Sequence, residues 1–230
     1  VHVTKGSTFE NEANLAESAL QMLRERYEGT SLGRQELFAE ILDDVEGALW
    51  NQALIEESRL PNDTEKELSQ IIVAIDPAVT ANENSDETGI VVVGKDHNNE
   101  YYVLEDLSGR HTADKWGKIA VNAYYEWEAD RVVAEVNNGG DLVERLIRNI
   151  DPNIPYRSVR ATRGKIVRAE PIAALYEQRR VHHIGIYPEL ETQMCSYTGD
   201  IKTSPDRLDA LVWGLSELNK SLGNVNWRIS

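Results

Sequence analysis

Two short apolar runs, each closed by a carboxylate, constrain this chain more than any other feature. Ile71-Ile72-Val73-Ala74-Ile75 leads into Asp76, and Arg131-Val132-Val133-Ala134 leads into Glu135. Runs of this kind usually form strands buried in a parallel sheet, with their tips at one sheet edge. An acid at the tip of a buried strand is costly unless it is hydrogen-bonded, paired or bound to a cation. A third acid, Asp209, lies near the start of an amphipathic helix in Ser204-Pro205-Asp206-Arg207-Leu208-Asp209-Ala210-Leu211-Val212-Trp213. Three acids converging in this way would build a site for hard divalent metals.

The pattern from Ile71 onward predicts strands over 71–76, 89–94 and 101–105, the last two joined by the turn-rich Asp96-His97-Asn98-Asn99. A helix over 112–128, a strand over 131–135, a helix over 141–149, a strand over 156–159 and a helix over 165–180 follow. A final helix is expected from about Pro205 to Leu222, with Ser204 as N-cap and Pro205 in its first turn. Three strands followed by alternating helices and strands predict an α/β fold, a mixed β-sheet flanked by helices on both faces. The first and fourth strands can then be neighbours, which brings Asp76 and Glu135 together.

Earlier residues read differently. Apolar faces recur over 14–27 and 32–50, and Glu56–Gln70 is polar with a turn signal at Pro61-Asn62-Asp63. The expected division is a helical segment over 1–60, a linker over 61–70 and the α/β domain over 71–230. Two amphipathic helices cannot bury a core by themselves, and a chain beginning with valine is expected to be a fragment or processed product.

No apolar run approaches the ~20 residues of a membrane span, so no membrane role is expected. The single Cys195 excludes an internal disulfide and a Cys-rich zinc site. A net charge of −15 argues at first against a nucleic-acid partner. The charge is uneven, however. Residues 1–70 carry 6 Lys/Arg against 15 Asp/Glu, whereas Tyr156–Arg180 holds Arg157, Arg160, Arg163, Lys165, Arg168, Arg179 and Arg180 against only Glu170 and Glu177. Such a strip suits nucleic-acid contact, and equally a solvated helix face with internal charge pairs.

Crowded carboxylates repel each other unless a cation lies between them. Mg²⁺ and Mn²⁺ prefer oxygen ligands of this type. Two such ions about 3.5–4 Å apart can activate water and stabilise the leaving oxygen of a phosphodiester. Asp206 and Asp209, three apart, project from one side of the last helix, so either could supply the third ligand. Each acid also has a plainer role: Asp76 as a turn residue before Pro77, Glu135 as a cap or loop acid, and Asp206 as a helix-dipole partner. Trp116, Trp127 and Trp213 fit apolar helix faces, and His182 and His183 fit a strand edge.

The sequence resembles the nuclease domain of tailed-phage large terminase subunits. The resemblance is carried by Ile75-Asp76-Pro77 with Thr88-Gly89, by Val133-Ala134-Glu135, and by Ser204–Trp213. Gly164–Pro171 and Arg180-Val181-His182-His183 match as well, and Lys5–Asn11 and Leu32–Leu37 are similar to the end of the terminase ATPase domain. The resemblance implies an RNase H-like (resolvase-type) fold and a metal-dependent endonuclease that cuts concatemeric viral DNA during packaging in the host bacterial cytoplasm. It implies Asp76, Glu135 and Asp209 as catalytic metal ligands for two Mg²⁺ or Mn²⁺ ions, with Asp206 in an accessory position. No histidine base is then needed. Arg163, Lys165 and Arg168 are the expected contacts to double-stranded DNA. The implied partners are the ATPase domain, the small terminase subunit and the portal protein. No phosphate-binding Gly-rich loop with Lys-Ser or Lys-Thr occurs, so ATPase activity is not expected. A resolvase or transposase on the same fold, and a non-catalytic portal-docking module, are the alternatives.

Overall fold

The computed structural model describes residues 45–77, 87–136, 141–161, 164–199 and 205–220. The elements are α1 (Gln52–Glu56), β1 (Gln70–Asp76), β2 (Gly89–Lys95), β3 (Tyr101–Asp106), α2 (Ala113–Glu126), β4 (Arg131–Glu135), α3 (Asp141–Ile150), β5 (Tyr156–Val159), α4 (Lys165–Glu177), β6 (Val181–His183), α5 (Pro188–Cys195) and α6 (Asp206–Lys220). The strands form one six-stranded sheet in the order β5-β4-β1-β2-β3-β6. β1, β2 and β3 are an antiparallel meander, whereas β4 runs parallel to β1, β5 parallel to β4, and β6 parallel to β3. The mixed sheet expected from the sequence is present, and β1 and β4 are neighbours, with Ile75 opposite Ala134.

Strand alternation decides where the acids point. Ile72 and Ala74 of β1, Val91 and Val93 of β2, and Val133 of β4 belong to one apolar cluster with α4, α5 and α6. Val73, Ile75, Val92, Val132 and Ala134 belong to the cluster on the opposite face, with Trp116 and Ala120 of α2 and Ile147 of α3. Asp76 and Glu135 continue the first set, so both fall on the side covered by α6. Each fully buried aliphatic side chain contributes about 1.5–3 kcal/mol, so a one-residue register slip would be heavily penalised.

Helix α6 lies close against the sheet because two glycines face the contact. A Cβ at Gly89 would stand 2.0 Å from the Asp206 carbonyl oxygen, and one at Gly214 would stand 2.7 Å from Val93 Cγ2. The start of α6 is held from two further directions. The Gln193 side-chain oxygen accepts from the backbone N–H groups of Arg207 (3.1 Å) and Leu208 (3.2 Å), two donors that a helix start leaves unsatisfied. Arg207 donates from Nε to Glu87 (3.0 Å) and from Nη1 to Asp106 (2.8 Å), tying the helix to β3.

The packed unit begins before the expected linker. Trp50 and Ile55 are buried in the first cluster, Leu60 bridges to Ile184, and Leu60 N–H donates to the His183 carbonyl. Residues 45–50, expected at the end of a helix, are not helical. The remainder of the expected N-terminal helices, and the Ser204 cap, lie outside the described residues. The expected helix over 165–180 ends at Glu177, where Arg179 adopts a φ of 59° and turns the chain into β6. No helix among the described residues is long and apolar enough to cross a membrane.

Candidate active site

The tips of β1 and β4 and the first turns of α6 bring Asp76, Glu135, Asp206 and Asp209 to one end of the sheet. Glu135, Asp206 and Asp209 are buried, and Asp76 is nearly so. Burial raises the Asp76 carboxyl well above its ordinary value, and the negative charges of Asp209, Glu135 and Asp206 raise it further. Burial also raises Asp209, although Lys165 and Arg168 oppose this by favouring its charged form. The four acids named from the sequence therefore share one electrostatic environment.

Two cations of α4 enter that environment. The Lys165 ammonium donates to Asp209 Oδ2. Arg168 Nη2 stands 3.7 Å from Asp209 Oδ1 and 3.8 Å from Glu135 Oε2. The Arg168 guanidinium also lies 4.7 Å from the ring centroid of Trp213, a cation–π contact that helps hold it in place. Trp213 Nε1–H donates to Glu135 Oε2 at 2.5 Å, fixing that carboxylate. Among the described residues, no three His, Cys, Asp or Glu side chains close on one point as a preformed cation cage. The side chains nevertheless fit a hard divalent cation chemically. They offer carboxylate oxygens only, buried and crowded enough to raise Asp76 and Asp209, and already drawing positive groups between them.

The expected DNA contacts fare differently from the acids. Arg163 lies outside the described residues. Arg168 is enclosed between two acids and Trp213, with a side chain only 11% exposed, so in this arrangement it braces the site. Lys165 is engaged with Asp209, although its side chain is 43% exposed. Within the rest of the basic strip, Arg157 donates to Glu217 and Arg179 pairs with Glu57. Much of the strip is thus neutralised internally. The acids that do this lie far away in sequence, which is why the strip itself did not reveal them. Trp213, expected only as core, also positions Glu135; its place one helical turn after Asp209 was the available signal. His183 is buried on Tyr176 and Glu191 rather than at the acids.

The raised Asp76 carboxyl has a measurable consequence. The folded state keeps this proton at pH values where the unfolded chain has released it. Metal-free stability therefore falls as pH rises from the ordinary value of 3.8 towards the raised folded value. In chelator at pH 7, Asp76→Asn is expected to melt ~2–8 °C above the parent, about 1–2 kcal/mol for a chain of this size. The difference should vanish near pH 4. An unchanged or lower melting temperature at pH 7 would contradict the crowded-acid description.

Comparison with known proteins identifies the family and the fold. Residues 73–218 match the family model described as the terminase RNaseH-like domain. A search of curated proteins by sequence gave no match. Among solved structures, the large terminase of a thermophilic bacteriophage superimposes with a TM-score of 0.57 at 12% identity, over 90% of this chain and 53% of that one. The chain thus spans about half of that protein. The nuclease domain of the large terminase subunit of bacterial virus Sf6, a point variant with manganese, gives a TM-score of 0.55 at 12% identity, over 73% and 98%. The large terminase nuclease from thermophilic phage G20c with bound cobalt gives 0.54 at 13% identity, over 75% and 98%. At these identities the likeness is one of fold, and the match over 73–218 supplies the membership: this chain belongs to the terminase RNaseH-like domain family, with the RNase H-like α/β fold of a terminase large-subunit nuclease domain.

Proposed function

We propose that this chain is a metal-dependent endonuclease that hydrolyses double-stranded DNA during viral genome packaging, cutting concatemers into genome lengths. The observation that carries the proposal is the convergence of Asp76, Glu135 and Asp209 from β1, β4 and α6, where burial first, and then the charges of Asp209 and Glu135, raise the Asp76 carboxyl. Manganese and cobalt accompany the Sf6 and G20c nuclease domains, and here too divalent ions are the proposed cofactors, two Mg²⁺ or Mn²⁺. When bound, the ions would supply activation of the attacking water and stabilisation of the leaving oxygen.

The chain's own residues have distinct tasks in this scheme. Asp76, Glu135 and Asp209 would hold the ions, and Asp206, on the same side of α6, would be accessory. Trp213 orients Glu135 through its N–H. Arg168, held between Glu135 and Asp209, limits the repulsion between those carboxylates. Lys165 and Arg163 are the proposed phosphate contacts; such contacts position a duplex without reading its sequence. A chain with net charge −15 is expected to bind duplex weakly by itself. The ATPase domain, small terminase subunit and portal protein are the proposed partners, in the host bacterial cytoplasm.

The test is cleavage of supercoiled plasmid by the purified chain with Mn²⁺ or Mg²⁺ and with chelator. Linear product that requires the metal is expected. Preferential cutting of branched over linear duplex would instead favour a resolvase-type role, and no cleavage with either metal would leave a docking module.

A further inference from the structure

The two cations at the carboxylates differ in their freedom to leave. Arg168 is enclosed and stacked on Trp213. Lys165 is the first residue of α4, and its side chain is 43% exposed while its partner Asp209 is 6% exposed. A lysine is a compact charge on a flexible four-carbon stem, so it can trade a buried carboxylate for solvent by rotation alone. Its charge also acts on Asp76 and Asp206, so one ammonium serves three of the four acids. The ammonium can only donate, and it takes up Asp209 Oδ2, an oxygen that an ion at this site would also need.

Resting on the metal-site reading above, we infer that Lys165 is a displaceable occupant of that site, paired with Asp209 until a divalent cation takes its place and then free to meet a DNA phosphate. One side chain thereby couples the two ligands. Metal binding releases the lysine towards the duplex, and a duplex that engages the lysine clears Asp209 for metal. By thermodynamic reciprocity each ligand raises the affinity for the other by the same factor. The arrangement keeps the acids neutralised when DNA is absent and favours assembly of the cutting site on its substrate.

The test is calorimetric titration of Mn²⁺ into the whole chain without DNA, for the parent, Lys165→Met and the remote surface variant Lys118→Met. Lys165→Met is expected to bind Mn²⁺ at least ~5-fold more tightly than the parent, within the usual range of site-to-site coupling. Lys118→Met should match the parent. A nuclease-resistant duplex should tighten Mn²⁺ binding to the parent and do so less for Lys165→Met. Parent binding with equal or weaker affinity in Lys165→Met would overturn the displaceable lysine while leaving the metal site standing. Absence of Mn²⁺ binding in both, with melting curves intact, would remove the metal site and the inference together. A duplex effect equal in the two proteins would overturn the coupling.

Discussion

Asp76→Ala and Asp209→Ala are each expected to lower Mn²⁺-supported plasmid cleavage by about 10³-fold or more, with the fold retained. An ion clamping a phosphoryl oxygen supplies several kcal/mol of transition-state stabilisation, and each 1.36 kcal/mol is tenfold in rate. Both acids come from elements that do not need their charge to form. Asp76 ends a strand already paired over its length with β2, and Asp209 lies on a helix whose start is held by Gln193 and Arg207. Removing Asp76 relieves repulsion, and removing Asp209 leaves Lys165 part-exposed and Arg168 still beside Glu135, so circular dichroism and melting should report a folded protein. Asp206→Ala should cost less than either, because Asp206, at the first position of α6, is proposed only as an accessory ligand. Cleavage persisting near parental rates in both Asp76→Ala and Asp209→Ala would displace the proposed site.

Glu191→Ala should be the most damaging single change to stability, at about 3–5 kcal/mol, because it strands buried charge. Glu191 is 1% exposed. It accepts from Arg59 Nη1 (2.8 Å) and Nη2 (3.0 Å), from the Tyr187 N–H (3.1 Å), and stands 3.0 Å from His183 Nδ1. Burial works against its charge, but the bonds from His183 and Arg59 outweigh burial and hold the carboxyl well below its ordinary value. Burial keeps His183 low, hence neutral near pH 7. Its Nδ1 then carries the proton for Glu191, and its Nε2 accepts from the Tyr176 hydroxyl at 2.8 Å. For a depressed acid, the stabilisation is complete above the unfolded value of 4.5 and is lost as pH falls from there towards the folded value. Urea melts at pH 7 should show the full deficit of Glu191→Ala, and melts below about pH 4.5 a smaller one. A deficit under 1 kcal/mol at pH 7, or one that grows on acidification, would contradict this account.

The sheet and its acids were legible because each rested on local pattern. The runs ending at Asp76 and Glu135 showed both strand and tip, and β4 and β5 have the bounds the pattern predicts. Period-two alternation then puts both acids on one face, and the fold supplies α6 as the helix that covers it. What escaped was long-range or short. Strand β6 has three residues and α5 eight, too few for a period to declare itself, and α5 mixes buried Leu190 and Met194 with acids. Lys165 and Arg168 were expected at DNA because they flank a helix start in the basic strip, with Glu170 as the alternative partner; the sequence gives no sign of Asp209, which the fold brings to them from another helix. The segment around Trp50 looked like the end of an amphipathic helix, since burial against α4 and Tyr197 leaves the same apolar signature as a helical face.

The bare backbone at position 89 turns into a statement about which sequences this site can tolerate. With the Asp206 carbonyl 2.0 Å from where any Cβ would stand, the gap between the β1 acid and the α6 acids is set by a missing side chain. A library randomised at 89 and selected for cleavage should return glycine almost alone, although alanine would suit a buried strand equally well. The same library at Asp206, whose proposed role is accessory, should return a broader set. Position 89, which carries no functional group, would then score as more restricted than one of the acids it serves.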